Sequence, residues 1–116
     1  MNSLFLLNLF MKKILIIGGG AMGSAFSVPC IDNNNKVFIT EPHSQRFIKN
    51  LSSKNKFHSG LKINLSKKLI FKKYGKELFL EKYDLIVIAL SLSGINFVGK
   101  ELKKYKVKSP ILVLTK

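Results

Sequence analysis

The sequence predicts an α/β fold, a doubly wound parallel sheet of about five strands in the order 3-2-1-4-5 counted along the chain. Three observations predict it. Residues 12 to 17, Lys-Lys-Ile-Leu-Ile-Ile, form a short apolar strand that runs straight into a glycine turn, Gly18-Gly19-Gly20-Ala21-Met22-Gly23. Asp84-Leu85-Ile86-Val87-Ile88-Ala89-Leu90 is a nearly unbroken apolar run, as in a parallel strand covered on both faces. Strand-like and helix-like segments alternate along the whole chain, and that alternation implies parallel pairing through right-handed crossovers.

The elements follow in order. After the glycine turn a helix is predicted from Ala21 to about Ile31, and Lys36-Val37-Phe38-Ile39-Thr40 reads as a β-branched second strand ending in Glu41. Pro42 suits a helix start, and residues 44 to 51 place Phe47, Ile48 and Leu51 on one helical face. Residues 52 to 65 are rich in Ser, Asn and Lys and read as a loop. Residues 68 to 72 make a third strand; Tyr74-Gly75 breaks it before a short amphipathic segment over residues 77 to 83. After the fourth strand, Ser91-Leu92-Ser93-Gly94 turns the chain into a helix from about Ile95 to Tyr105, and residues 110 to 115 form a final strand that reads as buried.

The glycine turn carries the chemistry. A strand, a G-x-G-x-x-G turn and a helix in succession present backbone N–H groups at a helix N-terminus, where a pyrophosphate binds, so the expected ligand is a dinucleotide. Gly18 permits the tight turn, Gly20 lets the backbone approach the phosphates, and Gly23 lets the helix pack closely on the strand. Glu41 stands near the ~20-residue offset at which a carboxylate meets the ribose hydroxyls of NAD. The ligand should lie across the carboxyl ends of the first and fourth strands, touching the glycine turn and residues 90 to 93.

Composition narrows the function classes. With 116 residues and 47% hydrophobic content the chain holds one folded domain with a modest core. A complete two-halved dinucleotide fold with a substrate domain needs far more chain, so residues 11–116 read as a fragment, a Rossmann-like dinucleotide-binding domain. Met1 to Phe10 read as an extension or a misassigned start, with Met11 the favoured beginning. That decapeptide lacks a basic flank and the ~20 residues of a membrane span, so no stable anchor and a cytoplasmic location are expected. A net charge of +14 would suit nucleic acid or an anionic membrane. Arg46 is the only arginine, however, and the lysines are spread through every segment, so a solvated lysine-rich surface is expected and nucleic acid is not. Cys30 is the only cysteine, which excludes an intrachain disulfide and implies a reducing compartment and a packing role. His43 and His58 are too isolated to suggest a metal site.

Three stretches carry a family likeness: Gly18 to Ala25; Phe57-His58-Ser59-Gly60-Leu61-Lys62-Ile63-Asn64; and residues 84 to 90 followed by Ile111-Leu112-Val113-Leu114-Thr115-Lys116. Residues 12 to 116 resemble the N-terminal domain of NAD(P)-dependent glycerol-3-phosphate dehydrogenase, the soluble bacterial type. The resemblance implies a cofactor site at Gly18, Gly20, Ala21, Met22, Gly23, Glu41, Pro42, Leu90 and Ser91. It also implies that Lys116, matching the lysine that ends the family's fifth strand, contacts substrate and cofactor. The full-length enzyme would transfer hydride between glycerol 3-phosphate and dihydroxyacetone phosphate, a small phosphorylated substrate pair of glycerophospholipid metabolism, and would form a homodimer. Its general acid/base lysine belongs to the second, helical domain, so this chain by itself is expected to bind cofactor without catalysis.

The sequence departs from that family at three places. The family usually has Trp where Met22 stands, an Arg near Pro42, and a Val-Pro-Ser-like turn where Leu90-Ser91-Leu92 is found. With Glu41 present and no arginine beside it, NAD is favoured over NADP, because a carboxylate repels a 2′-phosphate. Met22 also fits ketopantoate reductase, an NADP-binding alternative whose turn often reads Gly-Ala-Met-Gly. A small basic protein that binds nucleic acid or a membrane surface, and a stand-alone nucleotide sensor, are the readings from other classes.

Overall fold

The computed structural model describes residues 12–44 and 56–114. Their elements are β1 (Lys13–Ile17), α1 (Ala21–Asp32), β2 (Lys36–Thr40), β3 (Phe57–His58), β4 (Ile63–Asn64), β5 (Ile70–Phe71), a 3-10 helix (Lys76–Leu80), β6 (Leu85–Ile88), α2 (Leu92–Lys104) and β7 (Ile111–Val113). Five strands form one sheet in the order β5-β2-β1-β6-β7, and every pair in it is parallel. Counting only the strands of this sheet, that is the predicted third, second, first, fourth and fifth. β1 is central, with Ile14 opposite both Val37 and Leu85 and Ile17 opposite both Thr40 and Ile88.

Alternation along the strands builds a core on each face of the sheet. Ile14, Ile16, Val37, Ile39 and Val87 point to one side and pack with Cys30 and Ile31 of α1 and with Leu65 and Leu69. Leu15, Ile17, Phe38, Ile86 and Ile88 point to the other and pack with Leu78, Phe79, Tyr83 and the α2 residues Val98 and Leu102. Gly94, Val98 and Leu102 recur every fourth residue along α2, which puts them on one buried stripe. α1 runs through Pro29 and ends where Asn34 takes a left-handed conformation (φ 64°). The Asn35 N–H then donates to the Cys30 carbonyl and the Asn34 N–H to the Ile31 carbonyl, satisfying the helix's last acceptors. At the same edge of the sheet, Asp84 Oδ2 accepts from the Lys13 N–H at 2.7 Å while the Asp84 N–H donates to the Lys13 carbonyl, locking the start of β6 to β1.

Several expectations are corrected. Residues 57–64, expected within a loop, form an antiparallel hairpin in which Phe57 faces Asn64 and His58 faces Ile63. Two-residue strands are too short to show the alternation by which strands are recognised. The third strand shrinks to Ile70–Phe71, because only Phe38 and Ile39 are there to pair with it. The segment expected over residues 77 to 83 is a 3-10 helix ending at Leu80. The final strand is exposed rather than buried, with Ile111, Leu112 and Val113 at 46%, 39% and 43%, because it lies at the sheet edge beside β6 alone. The helix expected over residues 44 to 51 falls almost wholly outside the described residues. Thr115, Lys116 and the first eleven residues lie outside them as well.

Candidate functional site

The carboxyl ends of β1 and β6 bring the glycine turn beside Ala89 and Leu90. The Gly18 N–H donates to the Thr40 carbonyl at 2.8 Å and the Ala89 N–H to the Ile17 carbonyl at 2.9 Å, so the turn is held by the strands on both sides. Gly18 has φ +124°, a conformation that glycine adopts without strain. A Cβ there would collide with the Ala89 carbonyl oxygen, and a Cβ on Gly23 with the Gly18 carbonyl oxygen. Close packing of this fold therefore explains both glycines.

Gly20 is different. Its φ of −67° and ψ of −174° are open to any residue, it is exposed, and a Cβ on it would have no atom within 4 Å. Among the described residues nothing demands glycine at that position. The open space lies at the N-terminus of α1, whose first-turn N–H groups have no intrahelical acceptors. Among the described residues neither a capping side chain nor an acidic residue in the first turn occupies them. Ala21 is exposed and Met22 half-buried there. A surface that only a side chain at Gly20 would fill, backed by unoccupied N–H donors and a positive helix end, suits the pyrophosphate of a dinucleotide.

Glu41, at the end of β2, is 8% exposed. Its Oε1 accepts from the Gly19 N–H at 3.0 Å, while Oε2 accepts from the N–H groups of His43 at 2.7 Å and Ser44 at 3.3 Å. The carboxylate thus ties the glycine turn to the chain leaving β2, and Pro42 lies within that tie. Leu90 is half-buried against Gly94, whose own Cβ would stand 3.0 Å from the Leu90 Cβ. Ser91 precedes α2 with its Oγ 3.3 Å from that of Ser93. Gly18, Gly20, Ala21, Met22, Gly23, Glu41, Pro42, Leu90 and Ser91 therefore converge on one edge of the sheet.

Sequence reasoning missed His58 as a neighbour of this site. Its ring nitrogen Nε2 lies 2.9 Å from the Gly19 carbonyl oxygen although 39 residues separate the two in sequence. Phe57 to Asn64 carried part of the family likeness, which was the available signal. Sequence reasoning also missed a lysine cluster: the ammonium groups of Lys13, Lys36 and Lys72 all lie over the Phe38 ring, between 4.4 and 5.5 Å from its centroid. Glu81 pairs with Lys13 at 3.6 Å and with Lys72. Burial first, then Lys13 and Lys36, hold the Lys72 ammonium below the usual lysine range.

Cys30 is buried, and burial pushes its thiol up, as befits a packing residue. Among the described residues no group of three His, Cys, Asp or Glu side chains could hold a metal, and no helix is long and apolar enough to cross a membrane. A cleft of about 660 Å³, with Phe79, Tyr83, Tyr105 and Pro110 in its walls, lies at the amino ends of β6 and β7, away from the glycine turn.

Comparison with known proteins agrees with this geometry. The family described as "NAD-dependent glycerol-3-phosphate dehydrogenase N-terminus" matches residues 13–116. The NADP(+)-dependent glycerol-3-phosphate dehydrogenase of Archaeoglobus fulgidus is 31% identical over 103 residues, which cover 89% of this chain and 31% of that protein. The chain thus spans about a third of that relative's length. A solved structure from Enterococcus faecalis, assigned as a 2-dehydropantoate 2-reductase, superposes with a TM-score of 0.66 at 20% identity, covering 90% of this chain and 34% of that one. At that identity the likeness concerns the fold alone.

Proposed function

The chain belongs to the NAD-dependent glycerol-3-phosphate dehydrogenase N-terminal family, and from that premise we propose that residues 11–116 hold the dinucleotide of such an oxidoreductase on the glycine turn. Gly20 carries this reading. Gly18 and Gly23 are required by the fold, whereas Gly20 is required by none of the described residues and faces open space at the start of α1. The N–H groups of the first turn would hold the pyrophosphate, and Leu90 and Ser91 would flank it. The whole enzyme would transfer hydride between glycerol 3-phosphate and dihydroxyacetone phosphate as a cytoplasmic homodimer. When bound, the nicotinamide ring carries that hydride. Lys116, by the family likeness, would be the substrate and cofactor contact, its ammonium suited to a phosphate or a polarised carbonyl.

NAD is the favoured cofactor. Glu41 supports this preference, because its buried negative charge stands at the end of β2, where a 2′-phosphate would have to come. The relative from Archaeoglobus fulgidus is NADP-dependent, so the two cofactors are to be compared directly. Thermal unfolding of the chain with NAD, NADP or neither, at low and high salt, beside a Gly20→Val variant, tests the reading. A cofactor at about 100 times its Kd adds about 2.7 kcal/mol. The expected result is a rise in Tm with NAD that exceeds the rise with NADP and that Gly20→Val abolishes while the cofactor-free chain stays folded. No shift with either cofactor overturns the proposal.

A further inference from the structure

His58 is built into the wall of the glycine turn. Its side chain is 8% exposed, Nε2 lies 2.9 Å from the Gly19 carbonyl oxygen, and the Leu61 N–H donates to Nδ1 at 3.1 Å. A carbonyl only accepts and a backbone N–H only donates, so Nε2 donates to Gly19 while Nδ1 accepts from Leu61. Gly60 leaves the room, since a Cβ there would stand 3.1 Å from His58 Cε1. The hydroxyl of Ser24, on α1, donates to the same Gly19 carbonyl at 3.0 Å. Two donors from separate elements thus hold one oxygen.

The consequence passes through the peptide plane. The Gly19–Gly20 bond is trans and planar, so the Gly20 N–H points opposite to the Gly19 carbonyl. With the carbonyl drawn inward by His58 and Ser24, the Gly20 N–H is turned toward the exposed side, where no described residue accepts from it. Glu41 holds the Gly19 N–H and so fixes the preceding peptide. We infer that His58 is a positioning residue for the cofactor: by holding the Gly19 carbonyl it aims the Gly20 N–H at an oxygen of the pyrophosphate. The inference rests on the dinucleotide reading of the turn. It extends that reading to a residue of the β3–β4 hairpin.

Two variants separate the two bonds of the ring. In His58→Asn the side-chain oxygen can still accept from the Leu61 N–H but the amide is too short to reach Gly19; in His58→Gln the terminal amide can donate to the Gly19 carbonyl. The 116-residue chain and both variants are titrated with NAD, NADP and adenosine, and the amide chemical shift of Gly20 is followed without cofactor. The expected result is about tenfold weaker binding of the dinucleotides by His58→Asn and near-complete recovery in His58→Gln. Adenosine, which has no pyrophosphate, should bind all three alike, and the Gly20 shift should move in Asn and return in Gln. Should His58→Asn fail to fold, Ser24→Ala removes the other donor and should weaken dinucleotide binding in the same direction.

Unchanged dinucleotide affinity in His58→Asn, or an equal loss for adenosine, overturns the role of His58 while the cofactor reading stands. A wild-type chain that binds neither dinucleotide overturns that reading, and the role of His58 with it.

Discussion

Gly20 and Gly23 stand three residues apart and answer to different constraints. A Cβ on Gly23 meets the Gly18 carbonyl oxygen, a backbone atom that cannot yield without moving the turn, and comes within 3.3 Å of the Ala89 Cβ. Alanine is the better helix former by about 1 kcal/mol, but the clash outweighs that gain. Gly23→Ala should therefore destabilise the fold by about 2 kcal/mol or more, read by denaturant unfolding. Gly20→Ala should cost no more than about 1 kcal/mol, the loss of a glycine N-cap, because its added methyl touches no described atom. Equal losses at the two positions would mean that Gly20, too, is a packing glycine, and the case for a ligand there would fail.

At the scale of elements, Tyr83 joins the 3-10 helix to β6. Its hydroxyl donates to the Leu78 carbonyl at 2.8 Å, and burial pushes its phenol up to about 12. An unfolded tyrosine ionises near pH ~10, so the folded state holds this proton more tightly. The stability it confers is fully present below about pH 10 and is lost as the pH rises through about 12. Denaturant unfolding across that range should show the decline, and Tyr83→Phe should flatten part of it. The elements themselves were legible to differing degrees. α1, β1, β2 and β6 announce themselves by apolar runs and a glycine turn; β2 has the expected bounds and the other three differ from theirs by a residue or two at an end. α2 begins at Leu92 rather than about Ile95, because Ser91-Leu92-Ser93-Gly94 has turn chemistry while Gly94 is in fact buried under Leu90. The β3–β4 hairpin was not legible, and neither was the link from His58 to Gly19. The hairpin's two-residue strands are too short to show alternation, and the link from His58 to Gly19 is a tertiary contact between residues 39 apart that local composition does not encode.

For the whole molecule the dominant electrostatic fact is a net charge of +14. Among the described residues the ion pairs gather on Glu81, while Lys13, Lys36 and Lys72 converge on the rings of Phe38 and Tyr83. Repulsion between lysines should therefore outweigh attraction. Raising ionic strength from about 0.01 M, with a Debye length of about 30 Å, to about 0.15 M, with one of about 8 Å, should raise Tm. A fall in Tm would show that the pairs on Glu81 dominate instead.

The two cores have a different kind of consequence. Neighbouring residues of β1, β2 and β6 serve opposite faces of the sheet, so neither layer can open without undoing the strands of the other. The amides of these strands should exchange with solvent only through global unfolding, whereas the short β3–β4 hairpin should open at lower free energy. The ring that orients the Gly20 amide thus rides on one of the least protected parts of the molecule. Cofactor binding and hairpin opening become linked equilibria: a bound dinucleotide should slow hydrogen exchange in the hairpin.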